Sequence, residues 1–289
     1  MQLRLPTSAS IPRTEVYAPV LAHERIIAHE FEIVFQAPEI AAVARPGQFV
    51  ELLFGENYAP LVRRPFSLYR VDRDAGTCSV LYLARGSFTS GLAQKKVGDI
   101  VSVLGPLGRP FEWNADASTR HILIAGGLGA PPLYFLALEI AHALLEHGED
   151  PARVVVVNGA RTRDLLVGLA EFGALNILLR AVTDDGSHGE QALVTDVLNG
   201  LLDAELEAGR EAPVHLYSCG PMPMLRAIGD IALARGLPCQ LSVETSMPCG
   251  IGTCNGCAIP VHDLSAPDAL VYALACVDGP VFEARDLLW

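Results

Sequence analysis

Basic residues are scarce in this chain and never gather. Lys and Arg number 21 against 33 Asp and Glu, for a net charge of −12. Without a dense Lys/Arg run, nucleic acid and anionic membrane surfaces are poor partners. Long apolar runs are missing too. The longest uncharged apolar stretch, residues 122–138, is broken by Gly126, Gly127, Gly129, Pro131 and Pro132 and is too short to cross a bilayer. No basic-then-apolar leader opens the sequence, so the expected location is the cytoplasm. Thiols stay reduced there, and clustered cysteines serve as metal ligands or redox groups rather than as a disulfide framework. Internal repeats and low-complexity tracts are also absent. What remains is 51% apolar and 19% charged, enough for a sizeable core, and 289 residues suit about two domains.

The hydrophobic period changes along the chain. Residues 1–12, rich in Ser, Pro and Thr, read as a loose arm. Up to about residue 113 the pattern is β, with runs at 26–35, 49–54, 66–71, 78–83 and 100–104. They are separated by turn material such as Arg45-Pro46-Gly47, Asp74-Ala75-Gly76 and Val97-Gly98-Asp99. Short strands at this spacing predict a small antiparallel barrel. Strands at 120–125, 153–158, 176–181 and 214–218 then alternate with helices, one running from the Gly-rich turn through 145 and others at 193–202 and 223–235. That alternation predicts a parallel sheet covered by helices. The last 50 or so residues are cysteine-rich and lack long periodic elements. The expected domains are therefore an antiparallel β-barrel at 13–115, a nucleotide-type α/β domain at 116–240 and a cysteine module at 241–289.

The module carries the strongest motif. Cys249, Cys254 and Cys257 stand in C-x4-C-x2-C spacing, and Cys276 follows after 18 residues. This is the plant-type [2Fe–2S] spacing, in which four thiolates surround two irons. Gly250, Gly252 and Gly256 let the loop wrap closely, so that its N–H groups can point at sulfur. The competing reading is a structural zinc site, which also takes four thiolates but often pairs two C-x2-C knuckles; only one is present here. Cys78, Cys219 and Cys239, taken singly, read as small buried hydrophobes.

Two further motifs precede it. Arg63-Arg64-Pro65-Phe66-Ser67 opens a barrel strand, and a guanidinium fork suits a diphosphate. Gly126-Gly127-Leu128-Gly129 lies between a buried strand and a helix, where glycines let a phosphate or flavin edge approach the backbone. It is not the ordinary G-x-G-x-x-G fingerprint. Each motif alone also fits plain loop geometry or a surface arginine.

Together, the arginine strand, this shorter glycine turn and Cys219-Gly220-Pro221-Met222-Pro223-Met224 resemble the ferredoxin-reductase superfamily. That resemblance implies that Arg64 neutralises the flavin pyrophosphate and that Pro65, Phe66 and Ser67 line the flavin, with the Ser67 hydroxyl near N5. It implies further contacts from Leu81, Tyr82, Leu83, Phe88 and Thr89. Gly126, Gly127, Gly129, Gly220 and Pro221 would hold the nicotinamide nucleotide. Cys219 would join Ser67 at the hydride-transfer site. Where the superfamily usually has Gly before the phosphate-binding Thr, this chain has Phe88.

From about residue 16 to 288 the chain resembles, more narrowly, the electron-transfer subunits of NAD-dependent dihydroorotate dehydrogenases. The similarity is sharpest at 63–67, 126–133, 158–166, 184–198, 242–257 and 276–282. The cofactors so implied are FAD, a [2Fe–2S] cluster held by Cys249, Cys254, Cys257 and Cys276, and NAD. The implied partner is an FMN-containing catalytic subunit, in a heterotetramer of two plus two. No charged residue falls between Thr245 and His262, so Met247, Pro248, Ile251, Asn255 and Ala258 form a candidate contact strip. Two alternatives stay open: a reductase subunit of another NAD(P)-linked system of sulfide, hydrogenase or ferredoxin:NADP type, and a zinc-stabilised regulatory module. The closing residues through Trp289 are expected to pack on the cysteine module.

Overall fold

The computed structural model describes residues 2–3, 13–27, 29–55, 61–116, 118–207, 212–262 and 270–289. Most of the expected arm lies outside the described residues; Gln2–Leu3 instead forms a short strand, β1. The chain divides into two compact units. Met1–Pro110, Thr245–Pro260 and Leu270–Pro280 make the first. Phe111–Glu244, Val261–Ala269 and Val281–Trp289 make the second.

The first unit contains β2 (Thr14–Ile27), β3 (Glu30–Gln36), helix α1 (Pro38–Ala41), β4 (Phe49–Leu53), β5 (Arg64–Asp72), β6 (Thr77–Leu83), helix α2 (Ser87–Leu92) and β7 (Ile100–Leu107). The six strands from β2 to β7 close an antiparallel barrel in the order β2-β3-β6-β5-β4-β7. Alternate residues point inward, and Ile33, Phe35, Val50, Leu52, Leu68, Val80, Val101 and Val103 fill the interior. The run expected at 26–35 is two strands: the end of β2 and most of β3, joined by a hairpin. β2 is long enough to pair with both β3 and β7, and a register shift between Val20 and Ala22 marks the bend that closure requires.

The second unit follows the expected alternation. Its elements are β8 (Arg120–Gly126), α3 (Ala130–Glu146), β9 (Val154–Ala160), α4 (Leu169–Gly173), β10 (Leu178–Thr183), β11 (Glu190–Gln191), α5 (Val194–Glu207), β12 (Val214–Cys219), α6 (Met222–Ala234) and β13 (Cys239–Ser242). These strands run parallel in the order β11-β10-β9-β8-β12-β13. The chain winds outward from β8 on one side and from β12 on the other. The switch point, where open α/β sheets bind ligands, therefore lies between the carboxyl ends of β8 and β12.

After β13 the chain returns to the first unit. It makes the cysteine loop, β14 (Ala258–Val261) and β15 (Val271–Leu274), with β15 between β14 and β1. Then β16 (Val281–Glu283) adds an antiparallel edge to β13 in the second unit. The closing turn Ala284–Asp286 packs on α6, and Leu287 bridges Val261. The end of the chain thus rests mainly on the α/β unit rather than on the cysteine loop as expected.

Candidate functional site

In the first unit, the structure separates the two consecutive arginines. Arg63 is committed locally: it donates to the Glu51 carbonyl, to the Ser102 carbonyl and hydroxyl, and to the Glu15 carboxylate. Arg64 is exposed; among the described residues its guanidinium donates to the carbonyls of Val62 and Arg63 and lies 5.6 Å over the Phe88 ring. Of the pair, Arg64 is the one turned to meet an anion. Phe66, on the same side of β5, joins an aromatic group with Phe88 and Tyr82. Phe88, in place of the usual glycine, fills this group and packs edge-on against Phe54 at 4.8 Å. Thr89 closes the turn before α2, its hydroxyl oxygen accepting from the N–H groups of Arg85 and Gly86. Leu83 is half-buried and Leu81 almost fully buried, whereas Tyr82 is 2% exposed. The Tyr82 hydroxyl is 2.8 Å from His23 Nε2. Pro65 and Ser67 fall on the opposite, outward side of β5.

In the second unit the two glycine-rich turns interlock at the switch point. A Cβ on Gly129 would lie 2.0 Å from the Cys219 carbonyl oxygen, and one on Gly126 would lie 2.7 Å from the Met224 sulfur. The Ser218 hydroxyl donates to the Ile124 carbonyl at 2.8 Å, tying β12 to β8 just below. Glycine is thus required at 129 by direct backbone approach, whereas at 126 the crowding comes from the Met224 and Pro221 side chains. Gly127, at φ +54°, faces open space, as a ligand-approach position should. Cys219 is buried; burial, with the Glu244 carboxylate adding to it, pushes its thiol up to about 12. At neutral pH it is a protonated, non-nucleophilic group.

The four spaced cysteines are free thiols and all lie in the first unit. They stand as two pairs. The sulfurs of Cys257 and Cys276 are 3.3 Å apart, and the Cys276 N–H points at Cys257 Sγ. Cys249 and Cys254 form the other pair. Burial opposes ionisation of Cys249, but the N–H groups of Cys254, Ile251 and Thr253 and the Cys254 thiol outweigh it and bring the thiol down to about 7. Cys257 comes down to about 6 through the Cys276 thiol, against burial, with help from the N–H groups of Cys276 and Ala275. Cys276 is correspondingly raised, since it holds the proton the pair shares. Among the described residues no three His, Cys, Asp or Glu side chains converge on one point. Two thiol pairs wrapped by N–H groups suit two irons.

The loop rests directly on the barrel. Gly250 has φ +65°, and a Cβ there would lie 2.7 Å from Glu51 Cγ and 2.8 Å from Leu107 Cδ1. Ile251 and Asn255 are exposed beside it, but Met247 is buried and drops out of the expected contact strip. Glu51 is the residue that sequence reasoning passed over. A lone acid inside the strand Phe49–Leu53 reads as solvent-facing, yet it is wholly buried.

Comparison with known proteins adds the following. Residues 244–288 match the iron-sulfur cluster binding domain of dihydroorotate dehydrogenase B. A protein of Bacillus caldolyticus named as the electron transfer subunit of dihydroorotate dehydrogenase B (NAD(+)) is 38% identical over 270 residues, covering 93% of this chain and 96% of its own. The protein of the same name from Bacillus mycoides is 36% identical over 271 residues, with the same coverage. Among solved structures, an NADH-dependent reduced ferredoxin-NADP oxidoreductase aligns with TM-score 0.76 and 29% identity over 95% of this chain and 90% of that one. A ferredoxin NADP+ reductase from Neisseria gonorrhoeae, with bound FAD and NADP, shares the fold at TM-score 0.60 and 16% identity, over 78% and 93% of the two chains.

Proposed function

Because the chain belongs to the family of dihydroorotate dehydrogenase B electron transfer subunits, we propose that it takes electrons from the FMN of a dihydroorotate-oxidising subunit and passes them through a [2Fe–2S] cluster and FAD to NAD. The observation that carries this reading is the pairing of four thiols on a loop seated on the barrel that bears Arg64 and Ser67. Bound, the flavin exchanges single electrons with the cluster and a hydride with the nicotinamide. The chain's own residues supply position and charge. Cys249, Cys254, Cys257 and Cys276 hold the irons, and the loop N–H groups that already favour thiolate stabilise them further. Arg64 neutralises a diphosphate, and the Ser67 hydroxyl reaches the flavin's N5 edge. Gly126, Gly127 and Gly129 with Gly220 and Pro221 admit the nicotinamide nucleotide to the end of β8 and β12. Cys219, protonated and buried, borders that site without attacking anything.

The partner is the FMN-bearing catalytic subunit in a two-plus-two assembly in the cytoplasm, and exposed Ile251 and Asn255 make part of the contact. The decisive experiment reconstitutes the purified chain with that subunit. Alone it should oxidise NADH with artificial acceptors and leave dihydroorotate untouched; together the two should reduce NAD at the expense of dihydroorotate. Dihydroorotate oxidation by the isolated chain, or no coupling in the mixture, would refute the proposal. The likeness to the NADH-dependent ferredoxin-NADP oxidoreductase favours a second reading, a reductase serving ferredoxin. Coupling to reduced ferredoxin, with none to the dihydroorotate-oxidising subunit, would decide for it.

A further inference from the structure

One buried acid lies between the flavin strand and the cysteine loop. In the β4–β5 ladder Phe49 faces Ser67 and Glu51 faces Pro65. Residues directly opposite in an antiparallel pair share a face, so Ser67, Pro65, Phe49 and Glu51 lie together on the outward side, away from buried Val50 and Leu52. Gly250 covers that face at Glu51: a Cβ there would come within 3.2 Å of Glu51 Oε1. Glu51 is 0% exposed, and neither carboxyl oxygen has a hydrogen-bond partner among the described residues. The Arg63 guanidinium bonds the main-chain carbonyl of Glu51 and also donates to Ser102 and Glu15. An orphaned buried carboxyl is costly and calls for a partner outside the chain. Complete burial with no hydrogen-bond partner disfavours the ionised form, so the carboxyl keeps a hydroxyl to donate.

We propose that Glu51 is a positioning residue for electron transfer, its carboxyl donating a hydrogen bond to the cluster on the Cys249 side and so holding the cluster's potential up relative to the flavin. The inference rests on the cluster reading given above. Hydrogen bonds to cluster sulfur favour the reduced, more negative form. A hydrogen bond to a charged acceptor is large enough to move the flavin–cluster electron equilibrium about tenfold, which for one electron is about 59 mV.

The test is an EPR-monitored redox titration of the holoprotein carrying E51L or E51Q. E51L removes the donor at similar volume, and its cluster midpoint should fall by about the amount given, with flavin content and flavin midpoint unchanged. E51Q, which keeps an N–H donor, should stay near the wild-type midpoint. A wild-type midpoint and unchanged g-values in E51L overturn the inference. Equal shifts in E51L and E51Q overturn it too, because they would mark a purely steric role. Should E51L fail to take up the cluster, E51D, which withdraws the carboxyl by one methylene, should show the same fall, and a wild-type midpoint there overturns the inference. Wild-type protein that binds no [2Fe–2S] cluster would refute the underlying reading, an outcome distinct from a loaded protein indifferent to E51L.

Discussion

Acid should loosen the α/β unit through a single histidine. His121, at the start of β8, is wholly buried, with Nδ1 3.3 Å from the Tyr217 hydroxyl and its ring stacked on Tyr217 at 5.9 Å. Nε2 has no partner among the described residues, and the His215 ring stands edge-on at 6.2 Å. Burial, reinforced by His215, draws the pKa down from 6.5 to about 4 against weaker pulls from Asn114 and Asp116. The folded state therefore resists a proton that the unfolded chain accepts readily. The stability is complete above the unfolded pKa and drains away as pH falls from there toward the folded one. Between about pH 7.5 and about pH 5 the loss comes to roughly 2 kcal/mol, a substantial part of a typical folding free energy. The assay is thermal unfolding followed by circular dichroism across that range, for wild type and His121→Phe. The substitution keeps an aromatic ring and removes the titration. The wild-type melting temperature should drop by roughly 4–8 °C more than the variant's over the interval. Parallel pH profiles for the two proteins would refute the reasoning.

Five other expectations follow from the site. Arg64→Ala should weaken FAD roughly ten- to a hundredfold in equilibrium dialysis, from the loss of a charge-assisted hydrogen bond. Arg63→Ala should instead lower barrel stability, because Arg63 joins β4 and β7 to Glu15. Gly129→Ala forces a Cβ to 2.0 Å from a backbone oxygen, so NADH–dye turnover should fall at least about tenfold while flavin content holds. Cys276→Ser should strip or severely perturb the cluster, read as iron and sulfide content, with FAD retained. Ile251→Asp, on the exposed part of the loop, should abolish coupling to the catalytic subunit and spare NADH–dye activity, measured side by side.

What could be read in the sequence was chemistry tied to short spacing. Three thiols within nine residues and a glycine where two backbones meet are local demands, and they survive translation into a string of letters. Strand–helix alternation in the α/β unit was equally plain, because fully buried parallel strands are continuous apolar runs. Long-range pairing was not. Nothing between Ile27 and Glu30 is Gly, Pro, Asn or Asp, so the β2–β3 hairpin carried no turn signal and merged into one expected strand. β16 is three residues long, and its identity as a sheet edge depends on β13, some forty residues upstream in the chain. Glu51 was invisible for a related reason: only when the cysteine loop folds back on β4 does an apparently solvent-facing acid become buried.

The threading of the chain between its two units has a consequence for exchange of parts. The cysteine segments Thr245–Pro260 and Leu270–Pro280 belong with the barrel, whereas β16, which follows them at once, is the edge strand of the other unit's sheet. A single crossover after residue 244 therefore cannot transplant the cluster into a related scaffold. It would bring the donor's β16 along with the cysteines and set it against a recipient β13 to which it was not fitted. A working chimera needs a second junction near residue 280, so that the recipient keeps its own edge strand, and a barrel chosen from the same donor, since Gly250 is fitted to the surface around Glu51 and Leu107.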